Sequence, residues 1–186
     1  MTVSIWATLA VGALLQLPPL ATPSLDRDDL AVIHSALRAT VIADMRRGGA
    51  DGDLLVLDET VVFCSSHRHL QVACMREAVD LPSAERTLVP LRVPSGEIEG
   101  TRTVAHGTVE DVFRSATPDT GWTAFHETFP NAAGFAGVSA PAYDFATARV
   151  YVTFKYGSLG AKGWLVHLSR DGSGWRVTAV QLLWIS

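Results

Sequence analysis

WLVHLSRDGSGWRVTAVQLLWIS, residues 164–186, is the stretch on which the fold turns. WLVHLS reads as a strand, Arg170-Asp-Gly-Ser-Gly174 as a turn, and WRVTAVQLLWIS as a second strand running to the last residue. Immediately upstream the pattern has period two: Val150, Val152 and Phe154 fall on one face of a strand, and Arg149, Tyr151 and Thr153 on the other. The glycine-rich GSLGAKG, residues 157–163, breaks that strand from the next. Three consecutive strands joined by short turns predict an antiparallel meander.

Outward from the meander the period changes to that of helices. Residues 26–47 carry Leu30, Ile33, Leu37, Val41 and Met45 at steps of three and four, which predicts an amphipathic helix. Ser24 or Asp26 can cap its start, Asp28 and Asp29 suit its positive end, Arg46 and Arg47 its negative end, and Gly48-Gly49 its close. Thr117-Pro118 predicts a second helix, with Trp122, Phe125 and Phe129 on one side and an end at Pro130. Between them, LLVLDETVVF suggests a strand over Leu54 to Leu57 that Asp58 and Glu59 interrupt. LQVACMREAVDL reads as helix and residues 90–100 as loop. Helices first and sheet last predict an α+β domain, with the N-terminal helix and further short helices packed on the C-terminal meander.

Composition narrows the function classes. The chain has 186 residues, 48% hydrophobic and 18% charged, which suits one globular domain and excludes a disordered tail. Fifteen Lys+Arg against nineteen Asp+Glu give a net charge of −4 with no basic stretch, so nucleic acid is not an expected partner. Residues 3–17, VSIWATLAVGALLQL, are almost wholly apolar and are followed by Pro18-Pro19 and Ala21. That run is shorter than the roughly 20 residues a bilayer span needs, and the prolines stop a helix there. The expectation is a secretory signal over residues 1–21, cleaved near Ala21, followed by a single domain over 25–186 that is secreted or periplasmic and keeps no membrane span. No Lys or Arg precedes the apolar run, Arg27 being the first.

The C-terminal third resembles a family of uncharacterised secreted bacterial proteins. The resemblance lies in Trp122 and Phe125, Phe129-Pro130, Gly134 with Val138-Ser139, the hairpin at residues 157–163, Gly174-Trp175 and the closing Trp184-Ile185-Ser186. The chain departs from that family at Ser139-Ala140-Pro141, where the family often shows serine, arginine and a second glycine. The resemblance implies export and the C-terminal hairpin region; it implies no activity.

Several constellations of side chains could carry chemistry. Cys64, His67, His69 and Cys74 offer donors for zinc or copper. On a strand His67 and His69 share a face, but on a helix they stand about 200° apart, and the spacing of His67, Leu70, Cys74 and Leu81 is helical. No metal set and no cofactor is therefore expected. An oxidising compartment favours a Cys64–Cys74 disulfide, worth on the order of 2–3 kcal/mol. A continuous helix from Ser66 would hold the two Cα atoms more than about 10 Å apart, beyond the usual limit of about 7 Å. Pairing therefore needs the helix to start late or break, and buried thiols are the alternative.

Gly137-Val-Ser139-Ala-Pro141 lacks the small residue and the following helix of a nucleophile elbow. The carboxylates at Asp58-Glu59, Glu97 and Glu99, and Glu110-Asp111 read as solvated turns or helix starts. No catalytic set is assigned; if carboxylates and histidines converge in three dimensions, Asp58, Glu59 and His167 are the first to inspect. Trp164, Trp175 and Trp184 offer a candidate binding surface, against the usual place of tryptophan in a core. The leading expectation is a non-catalytic module outside the cytoplasm that binds a protein or a small molecule. A hydrolase assembled in three dimensions and a metal-handling protein are the alternatives.

Overall fold

The computed structural model describes residues 27–60, 98, 100–114 and 117–186. The first helix, α1 (Arg27–Leu37), passes through a π-helical turn (Arg38–Ile42) into α2 (Ala43–Gly48). Its stripe of apolar residues is buried at Val32, Ile33, Ala36, Leu37, Val41 and Met45. The π turn coincides with Thr40-Val41-Ile42, three β-branched residues in a row that crowd a regular helix. Thr40 also donates its hydroxyl to the Ala36 carbonyl at 2.7 Å, a back-bond that bends helices. Gly49 ends the helix in the left-handed conformation (φ 64°), its amide donating to the Met45 carbonyl.

The remaining elements are β1 (Asp53–Leu57), β2 (Thr101–Val104), α3 (His106–Arg114), α4 (Pro118–Thr128), β3 (Ala132–Val138), β4 (Ala142–Asp144), β5 (Thr147–Lys155), β6 (Ala161–Asp171) and β7 (Gly174–Ile185). The described strands form one sheet in the order β2-β1-β3-β5-β6-β7, with β4 paired to β5. The chain thus combines helices with one large sheet. β1 is parallel to both β2 and β3, whereas β3-β5-β6-β7 are antiparallel throughout. Parallel strands need long crossovers, and the crossover from β2 to β3 contains α3 and α4. Asp-Leu-Leu-Val-Leu of β1 is apolar at successive positions because both its faces are covered.

Two cores follow from that double cover. On one face Leu54, Val56, Val138, Val150, Val152, Trp164, Val166 and Leu168 pack with α1 and the π turn. On the other, Leu55, Leu57 and Phe135 pack with Val109 and Phe113 of α3 and Trp122 and Phe125 of α4. The start of α4 is fixed by a reciprocal cap: Thr120 accepts from the Thr117 amide at 2.9 Å and Thr117 accepts from the Thr120 amide at 3.4 Å. Among the described residues no helix is long and apolar enough to cross a membrane. Residues 1–26, which hold the expected signal and caps, lie outside the described residues. So do Cys64, His67, His69 and Cys74, the LQVACMREAVDL segment and most of residues 90–100.

Candidate functional site

Two places gather polar side chains. The first is a cleft of about 550 Å³ between the helical layer and the β6–β7 hairpin, lined by Ser35, Arg38, Asp171, Ser173, Trp175 and Arg176 among others. Its helical wall is the junction of α1 with the π turn, where Arg38 and Ala39 stand. Irregular helical turns of this kind recur at functional sites. The opposite wall is the two-residue hairpin turn. Asp171 Oδ1 accepts from the Ser173 amide at 3.0 Å and from its hydroxyl at 2.6 Å, and Asp171 Oδ2 lies 3.4 Å from Arg176 Nε. The Ser173 hydroxyl above all, then its amide and the Arg176 guanidinium, hold the Asp171 carboxyl below the usual carboxylate range. Gly174 follows at φ 137°, where a side chain would be strained.

Trp175 sits between this turn and the helical layer. Its ring lies 5.5 Å from that of Tyr143, and the Arg170 guanidinium stands 5.8 Å from its centroid. Both partners are tied to α1: Tyr143 donates its hydroxyl to Asp29 at 2.7 Å, and Arg170 pairs with Asp28 at 3.0 Å. The indole Nε1 of Trp175 is buried and has no acceptor among the described residues, which is uncommon for a buried donor.

The second place lies at the carboxyl ends of β1 and β2. Asp58 extends the ladder, its amide donating to the Val104 carbonyl at 2.9 Å, and its Oδ1 accepts from the His106 amide at 2.8 Å. That carboxylate caps the start of α3. The His106 ring is buried; its Nδ1 lies 3.4 Å from Glu59 Oε2 and its Nε2 3.8 Å from Glu110 Oε1. An imidazole flanked by two carboxylates can orient and relay a proton. Asp58 and Glu59 thus meet His106, and His167 is not part of their group. His167 lies in β6 opposite Arg149 and Ala179, its carbonyl accepting from the Thr178 hydroxyl at 3.1 Å. His106 was not anticipated, and the one readable sign was its i,i+4 relation to Glu110.

The three tryptophans do not share a surface. Trp164 is 5% exposed within the core beneath α1, and Trp175 packs against that same core. Trp184 crosses Gly163 on the other face and donates its Nε1–H to the Tyr151 hydroxyl at 3.0 Å. The Ser139 hydroxyl is engaged within the sheet, accepting from the Tyr151 amide at 3.0 Å. The glycine-rich link between β5 and β6 is a hairpin, closed by the Tyr156 amide on the Gly160 carbonyl at 2.9 Å. Among the described residues no group of three His, Cys, Asp or Glu side chains is placed to hold a metal ion. Comparison with protein-family models, curated proteins and solved structures finds no match to this chain.

Proposed function

We propose that the protein is an exported, non-catalytic binding module, secreted or periplasmic after loss of residues 1–21, and that its ligand is a small molecule held in the cleft beside Trp175. The observation that carries this reading is the cleft itself. About 550 Å³ falls in the range of small-molecule sites, and its walls combine an aromatic ring, two guanidiniums and an irregular helical turn. The family resemblance of the C-terminal third and the apolar opening stretch support export. On this reading the N-terminal helix and the shorter helices packed on the meander form the frame that fixes the cleft walls, and no cofactor takes part.

The test is mass spectrometry of protein recovered from the native culture. Its intact mass, with and without reductant, reports loss of residues 1–21 and the oxidation state of Cys64 and Cys74. Native conditions should show a co-purifying small molecule that Ala39→Trp, which fills the cleft, removes. An unprocessed chain inside the cell overturns export; a ligand retained by Ala39→Trp overturns the cleft.

A second reading is a hydrolase, favoured by the burial of His106 between Glu59 and Glu110 at the ends of two parallel strands. His106 would act as general base with Glu59 orienting its ring. Turnover of a chromogenic ester panel, lost in His106→Asn and Glu59→Gln but kept in His167→Asn, supports it. Absence of turnover by the wild-type chain sinks it.

A further inference from the structure

We propose that the cleft beside Trp175 selects an organic oxyanion, a carboxylate or phosphate group carried on an apolar body; this rests on the reading of that cleft as the ligand site. The class of ligand follows from a count of donors and acceptors along the walls. The carboxylate of the lining is already engaged. Asp171 takes both Ser173 donors on one oxygen and faces Arg176 with the other.

Donors are in surplus. Arg38 is exposed and forms no ion pair among the described residues, so its guanidinium brings five N–H donors without a carboxylate there to take them. Arg176 meets Asp171 through Nε alone, leaving its terminal nitrogens for a ligand. Two guanidiniums against one carboxylate leave the lining positive, although the whole chain carries −4. The carboxylates just outside it do not cancel this charge: Asp28 is paired with Arg170, and Asp29 accepts from Tyr143. A guanidinium fork beside an indole suits a planar or tetrahedral oxyanion with a hydrophobic body, and Ala39, Val177 and the Trp175 ring receive that body.

Isothermal titration of the chain as recovered from the native culture with benzoate, phenyl phosphate, benzamide and benzylamine tests this, because the four share a ring and differ in the head group. Benzoate or phenyl phosphate should bind saturably and at least tenfold tighter than benzamide, with benzylamine weakest. The tighter of the two anions identifies a carboxylate or a phosphate head. Arg38→Gln should weaken anion binding at least tenfold and benzamide binding much less, with the melting temperature unchanged, since Arg38 is exposed and makes no ion pair among the described residues. Equal binding of benzoate and benzamide, both abolished by Ala39→Trp, overturns the anion assignment and leaves the cleft as a ligand site. Anion binding indifferent to both Arg38→Gln and Ala39→Trp places the anion elsewhere and overturns the proposal. No binding by any probe also overturns it; the co-purification experiment then decides separately whether the cleft is a site at all.

Discussion

Gly163→Ala should be among the most damaging single-methyl additions to this chain. Gly163 pairs with Trp184 across β6 and β7. A methyl at Gly163 would overlap Trp184 Nε1 and Cε2 and stand 2.8 Å from Cζ2. The backbone is held on both sides by strand pairing, so the indole has to give way. If it swings off, the Nε1–H leaves the Tyr151 hydroxyl at the heart of the sheet, where Tyr151 is 1% exposed. Losing that bond costs about 1 kcal/mol. Forcing a methyl into a packed site costs about 1–3 kcal/mol more. The sum, about 2–4 kcal/mol, corresponds to a fall in melting temperature of roughly 5–15 °C for a chain of this size. Urea unfolding followed by far-ultraviolet circular dichroism gives the stability, and near-ultraviolet circular dichroism reports the indole. Trp184→Leu supplies the control: with the indole gone, the extra cost of Gly163→Ala should shrink by at least 1 kcal/mol. A loss below about 0.5 kcal/mol in the wild-type background, or strict additivity with Trp184→Leu, would refute the steric argument.

Three further outcomes are expected. Burial pushes the Tyr151 phenol well above its ordinary value, outweighing the Trp184 hydrogen bond that lowers it. The unfolded phenol ionises near pH 10 while the folded one keeps its proton, so stability should fall above about pH 10 by up to about 1.4 kcal/mol per pH unit. Tyr151→Phe should flatten that slope in urea midpoints taken from pH 9 to 11, and an unchanged slope counts against it. For Asp171 the sign is opposite: its carboxyl is held low in the folded chain, so its contribution is present above the unfolded value near pH 4 and is lost as the pH falls through the folded value. Ser173→Ala should therefore reduce the acid sensitivity of unfolding below about pH 4, and an identical acid limb in thermal scans contradicts this. Phe125→Ala should cost about 3–5 kcal/mol, because the ring is fully buried among Phe113, Trp122, Phe129 and Phe135. A small loss in denaturant titration would mean the cavity collapses.

Elements whose signal is local were legible. The meander announces itself through strict alternation at residues 149–154 and through glycines at the turns, and α4 through Thr117-Pro118 with its aromatic ladder. β1 was visible as a run of leucines and valine, but its place between two parallel partners was not, because parallel pairing is set by distant chain. β2 has only four residues, too few for any period to show. α3 hid for a related reason: its buried apolar residues Val109 and Phe113 are a single i,i+4 pair, and Gly107 and Thr108 precede them. The tryptophans lie apart because Trp175 and Trp184 pair with Arg170 and Gly163, an odd number of residues apart in β6, and so point to opposite faces. The carboxylate–imidazole group was half legible. Asp58 and Glu59 are adjacent in the sequence, while their histidine lies 47 residues beyond Glu59 and across a parallel pair.

The topology keeps the two polar places apart although they share one end of the strands. β1 and β3 run parallel, β5 opposes β3 and β6 opposes β5, so the carboxyl ends of β1 and β2 and the β6–β7 turn emerge at the same end of the sheet. Laterally, the β1–β2 seam and the β6–β7 seam are separated by four strand spacings in the order β2-β1-β3-β5-β6-β7, roughly 19 Å at about 4.8 Å per strand. They also draw on different helical layers, α1 and the π turn for the cleft and α3 for His106. A ligand small enough for the cleft therefore cannot reach the imidazole, and His106 cannot serve as base toward anything Arg38 and Trp175 hold. The binding and hydrolytic readings are rivals over different residues, so Arg38→Gln and His106→Asn separate them without either substitution disturbing the other's site.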